Sequence, residues 1–158
     1  FCFTAHTIHS IQTLLPIHVA FCYKIKYCLF NSRSVTNMSA EEVGKAFVQH
    51  FYATFDGNVE GIANLYSPES MLTFEGNQVM GKDSIMAKLR SVGPVKHDIK
   101  SMDVQPTQNP SAIVIFVTGV IKIGGDNPLH FCEMFQLVST GPGAYYVHND
   151  VFRLNYGL

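Results

Sequence analysis

Residues 129–154 read LHFCEMFQLVSTGPGAYYVHNDVFRL, two apolar, aromatic-rich runs on either side of one turn segment. Val, Phe, Tyr and Leu suit a pleated, packed surface, and Ser139, Thr140, Gly141, Pro142 and Gly143 supply the dihedrals and the missing donor that a reversal needs, so the stretch predicts a β-hairpin. Neither run alternates cleanly. Leu129, Phe131, Phe135 and Leu137 share one face, interrupted by Glu133, while Cys132, Met134 and Val138 put apolar groups on the other. Both faces need partners, which a sheet covered by helices on one side and a second subunit on the other would provide, as would a sheet enclosing a pocket.

Working back from the hairpin, SAIVIFVTGVIKI at 111–123 is the strongest strand signal in the chain, and 98–104 reads as another strand before a Gln-Pro-Thr-Gln-Asn-Pro loop. Further upstream the period changes. Ser39 followed by Glu42 is a capping box, and Val43, Phe47, Phe51 and Phe55 recur at four-residue spacing, which predicts an amphipathic helix. Val59, Ile62, Ala63, Leu65 and Tyr66 predict a shorter second helix that stops before Pro68. Residues 71–74 form a short strand that residues 75–78, with Gly76 and Asn77 at the centre, turn back into Val79 and Met80. Asp83 or Ser84 caps a third helix carrying Ile85, Met86 and Leu89, ended by Gly93 and Pro94. Helices followed by a meander of long antiparallel strands make an α+β domain with the helices on one face of a curved sheet.

With 158 residues, 47% of them hydrophobic, the chain fits one domain with a proper core. Residues 1–37 hold three of the eleven Lys and Arg and no acid, which leaves residues 38–158 mildly acidic. Clustered positive charge is missing, so nucleic-acid binding is not expected. No charged residue precedes Lys24, but three histidines, a glutamine and a proline dilute that apolar run, and no membrane insertion is expected from it. Residues 1–37 read as a disordered or non-native leader, with Met38 as the natural start of a domain spanning 38–158. Three of the four cysteines lie in that leader, so the domain has no disulfide framework.

Phosphate loops, zinc-protease motifs and nucleophile elbows are all missing from the chain, and His97 and His130 have no metal-ligand spacing. No cofactor and no metal is expected. Glu133, His148 and Asp150 sit in apolar strands where burial could shift their pKa values, yet each reads more simply as a structural residue than as a catalyst. Glu75 and Asp126 occupy turns, and Phe74 beside Glu75 would offer a partner both area and charge.

AFVQHFYATFD at 46–56, MLTFEG at 71–76, GKDSIMAKL at 81–89 and YYVHNDVFRLNY at 145–156, joined by QPT from Gln105 and EMFQL from Glu133, resemble the nuclear transport factor 2 family in order and spacing. The resemblance covers 38–158. It implies a cone-like α+β fold, three helices packed on a strongly curved antiparallel sheet, and a homodimer formed through the opposite sheet face. It also implies a carrier, not an enzyme. The dimer would bind the GDP form of the small GTPase Ran and phenylalanine-glycine nucleoporin repeats, moving between cytoplasm and nucleus and concentrating at the nuclear envelope and pore. Carried over by position, Phe74, Glu75 and Asp126 become the Ran-binding residues, and Val92, Leu129, Val151 and Phe152 line the pocket. Some members carry tryptophan where Phe74 stands, an acid where Gly124 stands, and a bulky aromatic where Ala40 stands. The same fold also serves as a heterodimerisation domain in messenger-RNA export adaptors and houses pocket isomerases and dehydratases, which are the alternative readings.

Overall fold

The computed structural model describes residues 38–125 and 127–156. The expected leader and Asp126 lie outside them.

Helix α1 spans Ala40–Gly57 and starts with the predicted capping box: the Glu42 N–H donates to Ser39 Oγ (3.2 Å) and the Ser39 N–H to Glu42 Oε2 (2.9 Å). Its apolar stripe buries Val43, Val48, Phe51 and Tyr52. Asn58 ends α1 and caps the next segment, accepting from the Glu60 N–H (3.1 Å). That segment, Val59–Leu65, is a 3-10 helix. Three residues per turn superimpose Ile62 and Leu65, the two it buries, so the tighter helix suits so short an apolar pattern. The third helix, α2 (Lys82–Val92), is capped by Gly81 at φ 85° with no side-chain cap, and Asp83 instead lies in the first turn, where its charge complements the helix dipole.

The strands are β1 (Tyr66–Phe74), β2 (Asn77–Met80), β3 (Val95–Pro106), β4 (Ala112–Ile123), β5 (Leu129–Gly141) and β6 (Ala144–Asn155), in the spatial order β2-β1-β6-β5-β4-β3. The α+β architecture is as expected, and β3 to β6 are the antiparallel meander. The sheet is nevertheless mixed, because β1 runs parallel to β6. A parallel pair needs a long crossover, which α2 and β3 to β5 supply. β1 also begins earlier than expected and passes through Pro68, which is tolerated because its ladder with β6 skips from Tyr66 to Met71. Register shifts in β3 at Ile99 to Ser101 and in the β5–β6 hairpin add bulges that bend the sheet around the helices.

Two turns differ from their expected positions. The β1–β2 turn is centred on Glu75 and Gly76, not on Gly76 and Asn77, since Phe74 pairs with Asn77. Both central residues have positive φ, 50° and 84°, the tight form that matches strand twist. The β5–β6 turn is likewise shorter than the five-residue segment, with Gly141 already paired to Ala144.

Cross-strand register puts Ile115, Val117, Phe131, Phe135, Leu137, Val147 and Phe152 on the buried side of the sheet. Gly119 is in register with Phe131, and a Cβ there would lie 2.6 Å from the Asp98 carbonyl oxygen and 2.8 Å from the Phe131 ring. The backbone oxygen cannot yield as a flexible side chain would. Gly119→Ala is therefore expected to cost about 1–3 kcal/mol of unfolding free energy in urea, the usual penalty of overpacking. A variant as stable as wild type would show that β3 moves freely here.

Candidate functional site

The C-terminal ends of β1, β4 and β6, the N-terminal ends of β3 and β5, and the last turn of α2 meet at one end of the sheet. This brings Phe74, Glu75, Val92, Leu129 and Phe152 to a common rim. Phe74 is in parallel register with Phe152, and their rings stack at 4.6 Å with an interplanar angle of 6°. Phe152 stacks in turn on Phe131 (5.5 Å, 18°), whose ring meets His97 and Tyr52 edge-on. Phe131 and Phe152 are buried, whereas Phe74 is half-buried, so the stack runs from the core to an open aromatic face. On the Phe74 ring lies the Lys88 ammonium, 4.9 Å from the centroid. Leu129 lies on the same sheet face as Phe131, and Val92 is one helical turn beyond Lys88.

Val151 does not join them. It is in register with Met134 and Thr73, one residue out of phase with Phe152, and so faces the other side of the sheet. Strand alternation makes it impossible for Val151 and Phe152 to line the same pocket.

Glu75 is half-buried and held, unlike a freely solvated turn acid. It is the one non-glycine residue with positive φ among those described, and β6 secures it twice: the Leu154 N–H donates to Glu75 Oε1 (2.6 Å) and the Glu75 N–H to the Phe152 carbonyl (3.1 Å). One accepted bond leaves a carboxylate most of its acceptor capacity. A left-handed conformation in a non-glycine residue costs free energy and persists where surrounding structure imposes it. Gly124 also has positive φ, 57°, and donates to the Pro94 carbonyl (2.8 Å). Ala40 is the first residue of α1.

Deeper in the cone, the Tyr52 hydroxyl donates to Glu133 Oε2 and the Tyr66 hydroxyl to Asp150 Oδ2, each at 2.6 Å. Glu133 and Asp150 are only 5% and 1% exposed on the neighbouring strands β5 and β6, and the Asp150 charge acts on Glu133. Like charges brought together out of water disfavour ionisation of both. Burial, followed by the neighbouring Asp150 charge, pushes Glu133 well above the usual carboxylate range. Burial also raises Asp150 to about 6, against the lowering effect of the Tyr66 hydrogen bond. Each acid thus accepts from one buried tyrosine hydroxyl.

His148 is left out of the β5–β6 pairing and lies 3.5 Å from the Tyr146 hydroxyl. His97 is locked to the end of α1: its N–H donates to Asp56 Oδ2 (2.9 Å) and its ring Nδ1 lies 2.6 Å from Asp56 Oδ1. Burial lowers the His97 pKa, with Asp56 opposing. Asp56 and Lys88 escaped the sequence reading because nothing local to either residue reports a contact with a distant strand.

The nuclear transport factor 2 domain family matches residues 43–154. Nuclear transport factor 2B of Arabidopsis thaliana is 46% identical over 125 residues, covering 77% of this chain and 99% of that protein. Nuclear transport factor 2 of Oryza sativa subsp. japonica is 47% identical over 123 residues, 76% of this chain and 100% of that protein. Among solved structures, nuclear transport factor 2 of Cryptosporidium parvum superposes with a TM-score of 0.70 at 39% identity, over 76% of this chain and 98% of that one. The chain belongs to the nuclear transport factor 2 domain family.

Proposed function

We propose that the open aromatic end of the cone receives an aromatic side chain of Ran in its GDP form, with Glu75 meeting an adjacent basic group. The chain is a transport factor of the nuclear transport factor 2 type and not an enzyme, in keeping with its relatives. Traffic between cytoplasm and nucleus follows from that role. The observation that carries the Ran reading is the half-buried Phe74 ring on a pre-stacked aromatic column, beside a carboxylate fixed in place by β6. A pre-ordered site loses little entropy when a partner docks. In this reading Asp126 is a second acid for Ran, phenylalanine-glycine nucleoporin repeats are the second ligand, and concentration at the nuclear envelope and pore follows from binding them.

The partner of the other sheet face is a second copy of the chain. Phe116, Met134 and Val151 form an unbroken apolar row across the adjacent strands β4, β5 and β6 on that face. Phe116 is 43% exposed in the single chain, as an interface residue would be.

Calorimetric titration of the full chain with Ran loaded with GDP, and separately with a non-hydrolysable GTP analogue, tests the carrier reading. Binding to the GDP form alone is the expected result. Glu75→Lys should weaken that binding by about tenfold or more, since the reversed charge repels a basic group across a partly desolvated contact. Wild-type affinity in the variant would remove Glu75 from the site.

A further inference from the structure

We infer that Lys88 is a displaceable cover on the docking face of Phe74, and that it weakens the binding of any aromatic side chain received there. The inference rests on the reading of this end of the cone as an aromatic-binding site. Phe152 lies parallel to Phe74 at 4.6 Å, which leaves no space for an ammonium between the rings. The Lys88 Nζ, 4.9 Å from the Phe74 centroid, is therefore on the opposite, outward face. An incoming ring can stack on Phe74 only where that ammonium sits. Lys88 projects from the last turns of α2, one turn before Val92, and the Phe74 ring is the sole partner of its ammonium among the described residues. No ion pair with a described residue anchors it. A cation over an aromatic ring at a half-exposed site is held weakly, so it can leave without unfolding α2.

Two effects make the cover unfavourable for the partner. The cation–π contact must be broken before an aromatic pair can form in its place. The displaced ammonium then stays close to a rim where Glu75 is to meet a basic group, and repels it. Lys88 thus acts against indiscriminate capture of exposed aromatic side chains, and a cognate partner must bring enough further contact to displace it.

The test uses two probes on the full chain. In the free protein, the Phe74 ring current should shift the Lys88 Hε signals upfield, and Phe74→Leu should abolish that shift. N-acetylphenylalaninamide, titrated by NMR, should return the Lys88 signals toward ordinary values as it perturbs the Phe74 ring. Lys88→Met, which keeps length and helix propensity, should bind this probe and Ran-GDP about threefold to tenfold more tightly than wild type, the scale of one surface cation–π contact plus one like-charge pair. Unshifted Lys88 signals, or a Lys88→Met variant that binds the amide no better or worse than wild type, would overturn the inference. Tighter amide binding by Lys88→Met with no Ran-GDP binding by either protein would uphold Lys88 as the cover and overturn the Ran reading instead.

Discussion

Glu133→Gln is expected to stabilise the domain at neutral pH by an amount that grows with pH and disappears in acid. Folding buries the Glu133 carboxyl beside the Tyr52 hydroxyl, close enough to Asp150 to feel its charge. Its pKa in the folded chain is raised, so the folded state holds a proton that the unfolded chain has released. Stability from a raised acid is fully present below the unfolded value, 4.5 for Glu133, and is lost as pH rises towards the folded value. Each pH unit over which the proton is held above 4.5 costs about 1.4 kcal/mol. Asp150, raised from 3.8 to about 6, adds to the same slope, so the decline begins near pH 4. Glutamine needs no proton. Its amide oxygen can accept from Tyr52 and its amide nitrogen can donate to Asp150, whose Oδ1 is otherwise without a donor. Urea unfolding of both proteins at a series of pH values should give equal stability near pH 4 and a gain for the variant of about 1–3 kcal/mol near pH 7. A variant weaker than wild type at neutral pH, with an undiminished slope, would show that Glu133 folds as a carboxylate.

That pair also marks where the sequence stops being legible. Glu133 announces itself as a polar interruption in an otherwise apolar face, but which β6 residue it meets depends on two register shifts near the hairpin tip. Bulges carry no dependable sequence signal, so the approach of Asp150 could not be read from spacing. The capping box of α1, the three helical segments and the β3–β6 meander were legible, because each follows from periodicity and turn chemistry within a short window. The parallel union of β1 with β6 was not, since it joins residues nearly eighty positions apart, Thr73 with Val151 among them, and no local pattern distinguishes a parallel from an antiparallel neighbour. The misplacement of Val151 has the same origin. Assigned to the pocket by position in a motif, it turns out to face away because Phe152, next in the strand, is the residue stacked on Phe74. Phe74 and Glu75 are another matter: their adjacency in one turn made them a candidate contact before any fold was known, and the fold supplies what holds them there.

Phe116→Glu should convert the proposed homodimer to a folded monomer. Phe116 lies mid-strand in β4, opposite Asp103 of β3 on one side and Met134 of β5 on the other, and Met134 is opposite Val151 of β6. The charged residue marks the edge of the patch and the three apolar ones its centre. A two-fold axis through the centre sets this surface against itself, so one substitution places two carboxylates in the same desolvated interface. Two like charges desolvated together cost several kcal/mol, which is a loss of more than about a hundredfold in association. The protomer core should be unaffected, because Phe116 is exposed in the single chain and the buried neighbours Ile115 and Val117 point the other way. Sedimentation equilibrium should give a monomer for the variant at concentrations where wild type is a dimer, with the same far-ultraviolet circular dichroism. Thermal unfolding separates this from simple destabilisation: the wild-type midpoint should rise with protein concentration, as mass action requires of a dimer, and the variant's should not. A variant that remains dimeric would place the subunit contact elsewhere and leave Phe116, Met134 and Val151 in need of a different partner.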